Sequence, residues 1–464
     1  MGCFMAPKIA LAARVVSLDS EVRSKVGAPA LSAGGPRPTL AMHCPASGEV
    51  LPECGLLFPA HTMKTRSLLA AATLALSTNG LCAPRQMETL GRGVVAAKPA
   101  DGKVFISWRL LGTDPDATAF NLYRAAGDGD ATRLNAEPIM NSTCFTDDSP
   151  PPGQASAYFV KPVLAGRERA ASARFTVGAN ASARPYLSIP LRTPPGYTPN
   201  DASVGDLDGD GKYEIVYGAC CIDDGGRGLY STGLGHGDAL HLSDIDPDRP
   251  GLEVFDIHEK PRHPHGAELH DARTGQILWS QPSPDVGRGV AMDIDPRHRG
   301  YEMWAAGAGL NGVWSAKGEQ VSERKPRSCN FGVWWDGDLL RELLDRTAIS
   351  KWNWLDGTET RLLTADGCAA NNGTKATPVL CADILGDWRE EVIWRSADNQ
   401  ELRLYTTTVP TQHRLRTLMH DPQYRLSVAW QNVGYNQPTQ PGFYLGEGMN
   451  RPPRPSIVTR PTPH

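Results

Sequence analysis

DLDGDGKYEIV (Asp206 to Val216), DIDPDRPGLEVF (Asp244 to Phe255), DIDPRHRGYEMW (Asp293 to Trp304) and ADILGDWREEVIW (Ala382 to Trp394) repeat one pattern. An acidic loop, Asp-x-Asp or a close variant, leads through a Glu into an apolar, β-prone run. The leading aspartates stand at 206, 244, 293 and 383, so about 45 residues, or twice that, separate them. Between the last two copies, FGVWWDGDLLREL (Phe331 to Leu343) takes the expected place with a different loop. A period of about 45 residues with several short strands per unit is the signature of a β-propeller. The other reading is chance recurrence of Asp-rich turns, because Asp is common in turns. Four copies, each leading into an apolar strand, argue against it.

Upstream, VFISWRL (Val104 to Leu110) sets Val104, Ile106 and Trp108 in alternation with Phe105, Ser107 and Arg109. That is a strand with one buried face. FNLYR (Phe120 to Arg124), AYFVKPVL (Ala157 to Leu164) and SARFTVGA (Ser172 to Ala179) continue a run of short strands with polar turns. A Trp on an early strand and a Tyr on the next suggest a small fibronectin-III-like β-sandwich over 84–180. Such a fold implies no chemistry by itself. The expected architecture is all-β, this sandwich followed by a β-propeller over 181–464.

Composition agrees. The 464 residues suffice for two or three domains. With 47 Gly and 38 Pro, both residues exceed their usual shares of about 7% and 5%, which favours turns and short strands. A helical bundle, a coiled coil and a multi-span membrane protein are excluded on that ground. A net charge of -4 offers no basic surplus for nucleic acid.

Residues 1–62 are rich in Ala, Pro and Gly without a sustained period, and read as a disordered or spurious extension. MKTRSLLAAATLALSTNGLCA (Met63 to Ala83) has Lys64 and Arg66, then an apolar run from Ser67 to Leu76, then small residues closing at Ala83. It reads as a secretory signal peptide with Met63 as the initiator. The run is too short to cross a bilayer core of about 30 Å. A secreted or periplasmic product follows, without membrane attachment and expected to be a monomer. The alternative is a buried apolar helix after a disordered arm. After Ala83 there are six cysteines, Cys144, Cys220, Cys221, Cys329, Cys368 and Cys381. An oxidising compartment makes disulfides possible, and the spacings do not suit zinc.

Asp206, Asp208, Asp210 and Glu214, with Gly211 for the sharp turn, offer closely spaced hard oxygens of the kind Ca²⁺ takes. Asp244, Asp246 and Asp248 form a second, weaker loop, and Asp293 and Asp295 a third in which Arg297 takes the third acidic place. GLGHGDALH (Gly233 to His241) carries His236 and Asp238 two apart, on one side if the segment is a strand. His258 and Glu259 follow one strand later, and a metal or substrate site could take all four. A lone His is more often structural, but the Gly-rich backbone beside it argues for close approach to a ligand. In AANNGTKATPVL (Ala369 to Leu380), Asn371, Asn372, Thr374 and Lys375 can bind a sugar acid, and a Lys near other positive charge can serve as a base. The competing reading is a solvated loop with a surface Lys. Tyr435, in AWQNVGYNQP, is a phenol in a comparable setting, with core packing as its alternative.

These strings, with RQMETLGRGVVA, NDASVGDLDGDGKYEIV, GLYSTGLGHGDALH, DVGRGVAMDIDP, NFGVWWDGDLLRELLD and YTTTVPTQHRLRTLMHDPQYR, resemble bacterial rhamnogalacturonan lyases of polysaccharide lyase family eleven over about residues 85–450. The resemblance implies an eight-bladed propeller carrying a small β-sandwich. It implies a calcium-dependent lyase that cleaves the rhamnose–galacturonic acid bond of rhamnogalacturonan I, a pectic polysaccharide, by β-elimination. By similarity Lys375, alone or with Tyr435, is base and proton donor. Asn372, Gly373 and Thr374 hold the sugar, and Asn200 opens the first site segment, with Asp201 a calcium ligand. His236, Asp238 and His258 look like ligands of a structural calcium.

One departure stands out. An Asp that belongs to the family's substrate site is replaced here by Cys220, in YGACC. The text that follows belongs further along the family fold, as if two repeats had been joined in register. About four to six blades are then expected rather than eight. An active lyase, an inactive or impaired paralogue that binds pectic sugar, and an unrelated calcium-binding adhesion propeller are the readings carried forward. Endo or exo cleavage stays open.

Overall fold

The computed structural model describes residues 85–98, 102–127, 129–184, 186–190, 215–217, 220–222, 228–259, 264–431 and 437–460. The readings placed on 1–62, on the segment 63–83, and on Asn200, Asp201, Asp206, Asp208, Asp210, Glu214 and Tyr435 lie outside the described residues. The described chain is nearly all β, with one α-helix, Pro422–Trp430, among its elements. No helix of the described residues is long and apolar enough to cross a membrane.

Two antiparallel sheets build the N-terminal part. One orders Val95–Ala97, Val104–Ser107 and Cys144–Asp147; the other centres on Ala119–Ala126 paired with Ser156–Leu164. Val104, Ile106, Trp108, Phe120, Leu122, Tyr158 and Val160 fill the space between them. Ile106, Trp108 and Phe120 lose all contact with solvent, as the alternation requires. The expectation of one buried face is corrected, because Phe105, Ser107 and Arg109 are buried as well. Their face is covered by a loop from far along the chain. A Cβ on Gly386 would collide with the Ser107 hydroxyl, Gly386 N–H donates to the Gly93 carbonyl at 2.7 Å, and the Arg109 guanidinium donates to the Ile384 carbonyl.

Antiparallel sheets then follow in chain order. A three-stranded sheet (Ile215–Tyr217, Cys220–Ile222, Gly228–Ser231) comes first. Three four-stranded sheets come next, spanning Leu240–Ser243 to Ile277–Pro282, Val286–Met292 to Gln320–Ser322, and Phe331–Val333 to Thr358–Thr364. The last sheet is composite. Leu380–Ala382 and Cys368–Ala369 pair with Glu391–Ser396, which pairs with Glu401–Tyr405, and Tyr186–Pro190 closes its edge. Apolar clusters lie between successive four-stranded sheets and between the third of them and the composite sheet. Second strands, such as Glu253–Ile257, are therefore buried on both faces, while the outermost Thr358–Thr364 is mostly exposed.

The repeated Glu is the piece that shapes each loop. One carboxylate oxygen of Glu253 accepts from the Ile245 and Asp246 N–H groups, both at 3.0 Å. Glu302 does the same for Ile294 and Asp295, Glu342 for Trp335 and Asp336, and Glu391 for Ile384 and Leu385. Burying these carboxyls pushes them above their ordinary range, Glu253 to about 7. Glu214 occupies the same place in its copy of the sequence repeat. The cysteines whose side chains are described, Cys144, Cys329, Cys368 and Cys381, are free thiols.

Candidate active site

Lys375 is presented by a short, tight loop. Asn371 and Thr377 exchange backbone hydrogen bonds at 2.9 and 3.3 Å and pinch the loop at its base. Asn372 and Gly373 both adopt left-handed backbone, at φ 59° and 55°, which turns the chain sharply into the 3-10 turn Gly373–Lys375. Gly fits that conformation freely and Asn tolerates it better than most residues. Asn372 is exposed, its amide 3.4 Å from the Thr377 hydroxyl, and Asn371 is buried.

The Lys375 ammonium reaches the Asp238 carboxylate, 137 residues away in sequence, and forms an ion pair. His236 Nε2 lies 3.2 Å from the other oxygen of that carboxylate. The Asp238 carbonyl accepts from Gln437 Nε2 at 3.0 Å and from Arg288 at 3.3 Å. Arg288 also donates to the Asn330 carbonyl at 2.8 Å, and its burial lowers the guanidinium from its ordinary value. His236 and Asp238 sit in an irregular segment rather than on a strand, His236 exposed and Asp238 buried. Gly237 between them explains the glycine signal differently from the expectation. Its α-carbon is pressed against the Ile257 carbonyl, where a Cβ would stand 1.5 Å from the oxygen. The close approach is to the neighbouring strand.

The acidic and imidazole groups of this region fall into two sets. His236, Asp238 and Glu259 bring ligand atoms within 4.8 Å of one another near Lys375. Asp256, His258 and Glu268 form a second, fully buried set of the same size. His258 thus belongs with Asp256 and Glu268, whereas the sequence grouped it with His236 and Asp238. Burial raises the Asp256 carboxyl to about 7, and its Oδ2 has no hydrogen-bond partner among the described residues. His258 is raised from its ordinary value: burial works against the charged form, and the Glu268 and Asp256 carboxylates outweigh it.

A model of the rhamnogalacturonan lyase family 11 C-terminal domain matches residues 193–455, and a model of the rhamnogalacturonan I lyase β-sheet domain matches 85–178. The chain belongs to rhamnogalacturonan lyase family 11. Among its relatives, the rhamnogalacturonan endolyase YesW of Bacillus subtilis (strain 168) is 57% identical over 261 residues, 56% of this chain and 42% of the relative. The rhamnogalacturonan exolyase YesX of the same organism is 45% identical over 349 residues, 71% of this chain and 56% of the relative. The chain therefore spans about half the length of the curated relatives it matches. The crystal structure of YesW superposes with a TM-score of 0.74 at 34% identity, covering 82% of this chain and 100% of that chain. A Bacillus licheniformis family 11 lyase gives 0.73 at 34%, covering 81% and 100%.

In this family 11 chain the acidic loops among the described residues carry a Lys or Arg side chain. Lys317 Nζ lies 2.5 Å from Asp246 and 3.3 Å from Asp248, and Arg297 forks onto Asp295 at 2.6 and 2.9 Å. Arg389 forks onto Asp387 in the same way. Lys351 Nζ sits among Asp336, Asp338 and Glu342 at 2.9, 2.7 and 2.6 Å. A calcium in the Asp244–Asp248 loop would have to displace the Lys317 ammonium. The leading aspartates hold distant backbone instead: Asp244 accepts from Tyr444 N–H, Asp293 from Glu447 N–H and the Tyr444 hydroxyl, and Asp383 from Leu418 N–H. Arg288, Gln437, Asp256 and Glu268 escaped the sequence reading. Asp256 left one signal, a charged residue between the apolar Phe255 and Ile257 of its strand.

Proposed function

We propose that this family 11 chain is a secreted, calcium-dependent rhamnogalacturonan lyase that cleaves the rhamnose–galacturonic acid backbone of rhamnogalacturonan I by β-elimination. The observation that carries the reading is the Lys375–Asp238 pair, formed between a pinched polar loop and a segment rich in metal-ligating groups. In the elimination, a base removes the proton at C5 of galacturonate. The C4–O bond to the leaving sugar breaks, and the electron pair left at C5 forms the C4–C5 double bond. The departing oxygen takes up a proton. We assign Lys375 the role of base: its ammonium first passes a proton to the Asp238 carboxylate or to water, and the neutral amine then takes the C5 proton, with Tyr435 the proposed donor to the departing oxygen. Arg288 adds fixed positive charge beside the site, which favours the charge developing on the substrate's carboxylate side. Asn200, Asn372, Gly373 and Thr374 are the proposed sugar contacts.

The residues fit calcium. The buried Asp238 and the half-buried Glu259, beside the exposed His236, offer ligands once the Lys375 ammonium yields Asp238, and Asp256 leaves a buried carboxylate oxygen that a hard cation would satisfy. Asp201 and the Asp206–Glu214 loop are further proposed ligands. Bound there, calcium supplies positive charge that offsets the uronate and the Asp238 carboxylate. We read the successive four-stranded sheets as propeller blades and the N-terminal part as a fibronectin-III-like sandwich, with the chain a monomer. A second reading, an impaired paralogue that binds without cleaving, draws on Cys220 in place of a family Asp.

The test is near-ultraviolet absorbance on rhamnogalacturonan I, with calcium and then with chelator. Rising absorbance that needs both calcium and Lys375 supports the lyase. A folded protein that yields no unsaturated product supports the paralogue.

A further inference from the structure

Arg414, Arg416 and Arg451 surround a cavity of about 100 Å³ where the N-terminal sheets meet the segment 414–418. The junction is firm: Thr417 N–H donates to the Leu110 carbonyl at 2.8 Å, and Leu110 bridges Arg416 in parallel. One carboxylate, Asp116, serves two of the arginines. Arg416 pairs with it closely, and Arg451 lies 2.9 Å away. Among the described residues Arg414 hydrogen-bonds backbone carbonyls, those of Asp116 and Thr118. The Nε groups of Arg414 and Arg416 are buried and have no hydrogen-bond partner among the described residues. Asp421, also on the wall, is committed to the Tyr424 and Gly442 N–H groups at 2.9 and 2.7 Å. Asp114, the other carboxylate nearby, is taken by the Arg92 fork, so three guanidinium groups face Asp116 as the one carboxylate not held by other groups, in a chain whose net charge is -4. Burial lowers the Arg414 guanidinium from its ordinary value; the Asp114 and Asp116 carboxylates work against this, and the Arg416 and Arg451 charges work with it.

Apart from Thr417 the rest of the lining is apolar: Leu415, Leu418, Phe443, Pro422 and Pro453 among it. Guanidinium forks match a planar carboxylate, and an apolar wall suits the C–H face of a sugar ring. The cavity admits a carboxylate and the edge of one ring, not a disaccharide. It shares no residue with the Lys375 loop or with His236, Asp238 and Glu259.

We propose that this cavity is a second carbohydrate site, an anchor that grips a uronate carboxylate of the polymer away from the reacting bond. The choice of a uronate polymer as ligand rests on the lyase reading. Calorimetry in a Lys375→Ala background measures binding without cleavage. Rhamnogalacturonan I is the probe, and the same polymer with its carboxyls reduced to alcohols is the control. Arg451→Ala, a change at an exposed side chain, and Arg414→Gln are each expected to weaken binding of the acidic polymer about tenfold. Binding of the reduced polymer is expected to be weak and unchanged by either. Melting curves identify any variant that fails to fold, and Arg451→Lys, which keeps the charge and loses the fork, should fall between. Equal affinity of the Arg451→Ala and parent proteins for the acidic polymer overturns the anchor and leaves the lyase reading intact. Absence of unsaturated product from the unmutated protein overturns the lyase reading, and the Arg451 comparison still decides the anchor.

Discussion

Lys375 and Asp238 hold each other's charge, so changing either one alters what the other can do. Lys375→Ala is expected to lower the turnover of rhamnogalacturonan I by roughly 10²- to 10⁴-fold, read as the rate of near-ultraviolet absorbance, and to lower the melting temperature as well, because the buried Asp238 loses its ammonium partner. His241 makes a separate prediction, about pH. Its Nε2 faces the Gly289 carbonyl at 3.0 Å and its Nδ1 faces the Gln440 amide at 3.2 Å. Burial holds its pKa down at about 3, so the ring is neutral in the folded protein. The unfolded ring titrates near 6.5. Its contribution to stability is complete above about 6.5 and is lost as pH falls from there toward 3. Chemical denaturation from pH 6.5 to 4 is expected to show a slope about 1.4 kcal/mol per pH unit shallower in His241→Phe than in the parent. At this scale the sequence was informative where chemistry is local. Lys375 and Asp238 were both singled out from their loops. Their meeting was not legible, because it joins positions 137 residues apart. Arg288 and Gln437 were missed for the same reason, since each reaches the site through the Asp238 backbone carbonyl.

Each repeated loop among the described residues is held by a buried Glu and balanced by a Lys or Arg, and the two parts fail differently. Lys351→Met leaves the buried Glu342 beside the partly exposed Asp336 and the exposed Asp338 without a cation, and removing the partner of the buried carboxyl costs about 3 kcal/mol. Thermal melting at neutral pH checks it. Gly237→Ala is expected to cost about 4 kcal/mol, near the top of the usual range for single changes. The Ile257 carbonyl must move aside, Asp238 moves with the loop, and cleavage should fall together with stability. The repeat itself was plain in the sequence, and its copies became successive antiparallel sheets. Its chemistry was read toward metal because Asp-x-Asp loops suit calcium. Arg297 and Arg389 sit two residues from the aspartates they pair with, but the cation of the Asp244–Asp248 loop comes from elsewhere: Lys317 is 71 residues from Asp246. Spacing along one segment carries no trace of such a partner. The strand at Val104–Ser107 shows the same limit, since its second face is covered by residues near 386.

Across the whole molecule, the N-terminal sheets and the later ones share buried polar contacts. Arg109 reaches the Ile384 carbonyl and lies 4.0 Å from the buried Asp383. Arg109→Ala is expected to destabilise the protein by about 3 kcal/mol and to split one calorimetric transition into two. A single transition at a lower temperature would instead show that the two parts unfold together without it. The composite sheet has another effect, on the order of events during synthesis. Ser188, on its edge strand, bonds Glu401, 213 residues later. At about 5 to 20 residues per second, the ribosome needs roughly 10 to 40 seconds to make that stretch. During this interval the early strand has emerged with its hydrogen-bonding edge unmatched. Newly made chains are therefore most exposed to mispairing with their neighbours before residue 401 appears, and slower translation or crowded polysomes should lower the soluble yield.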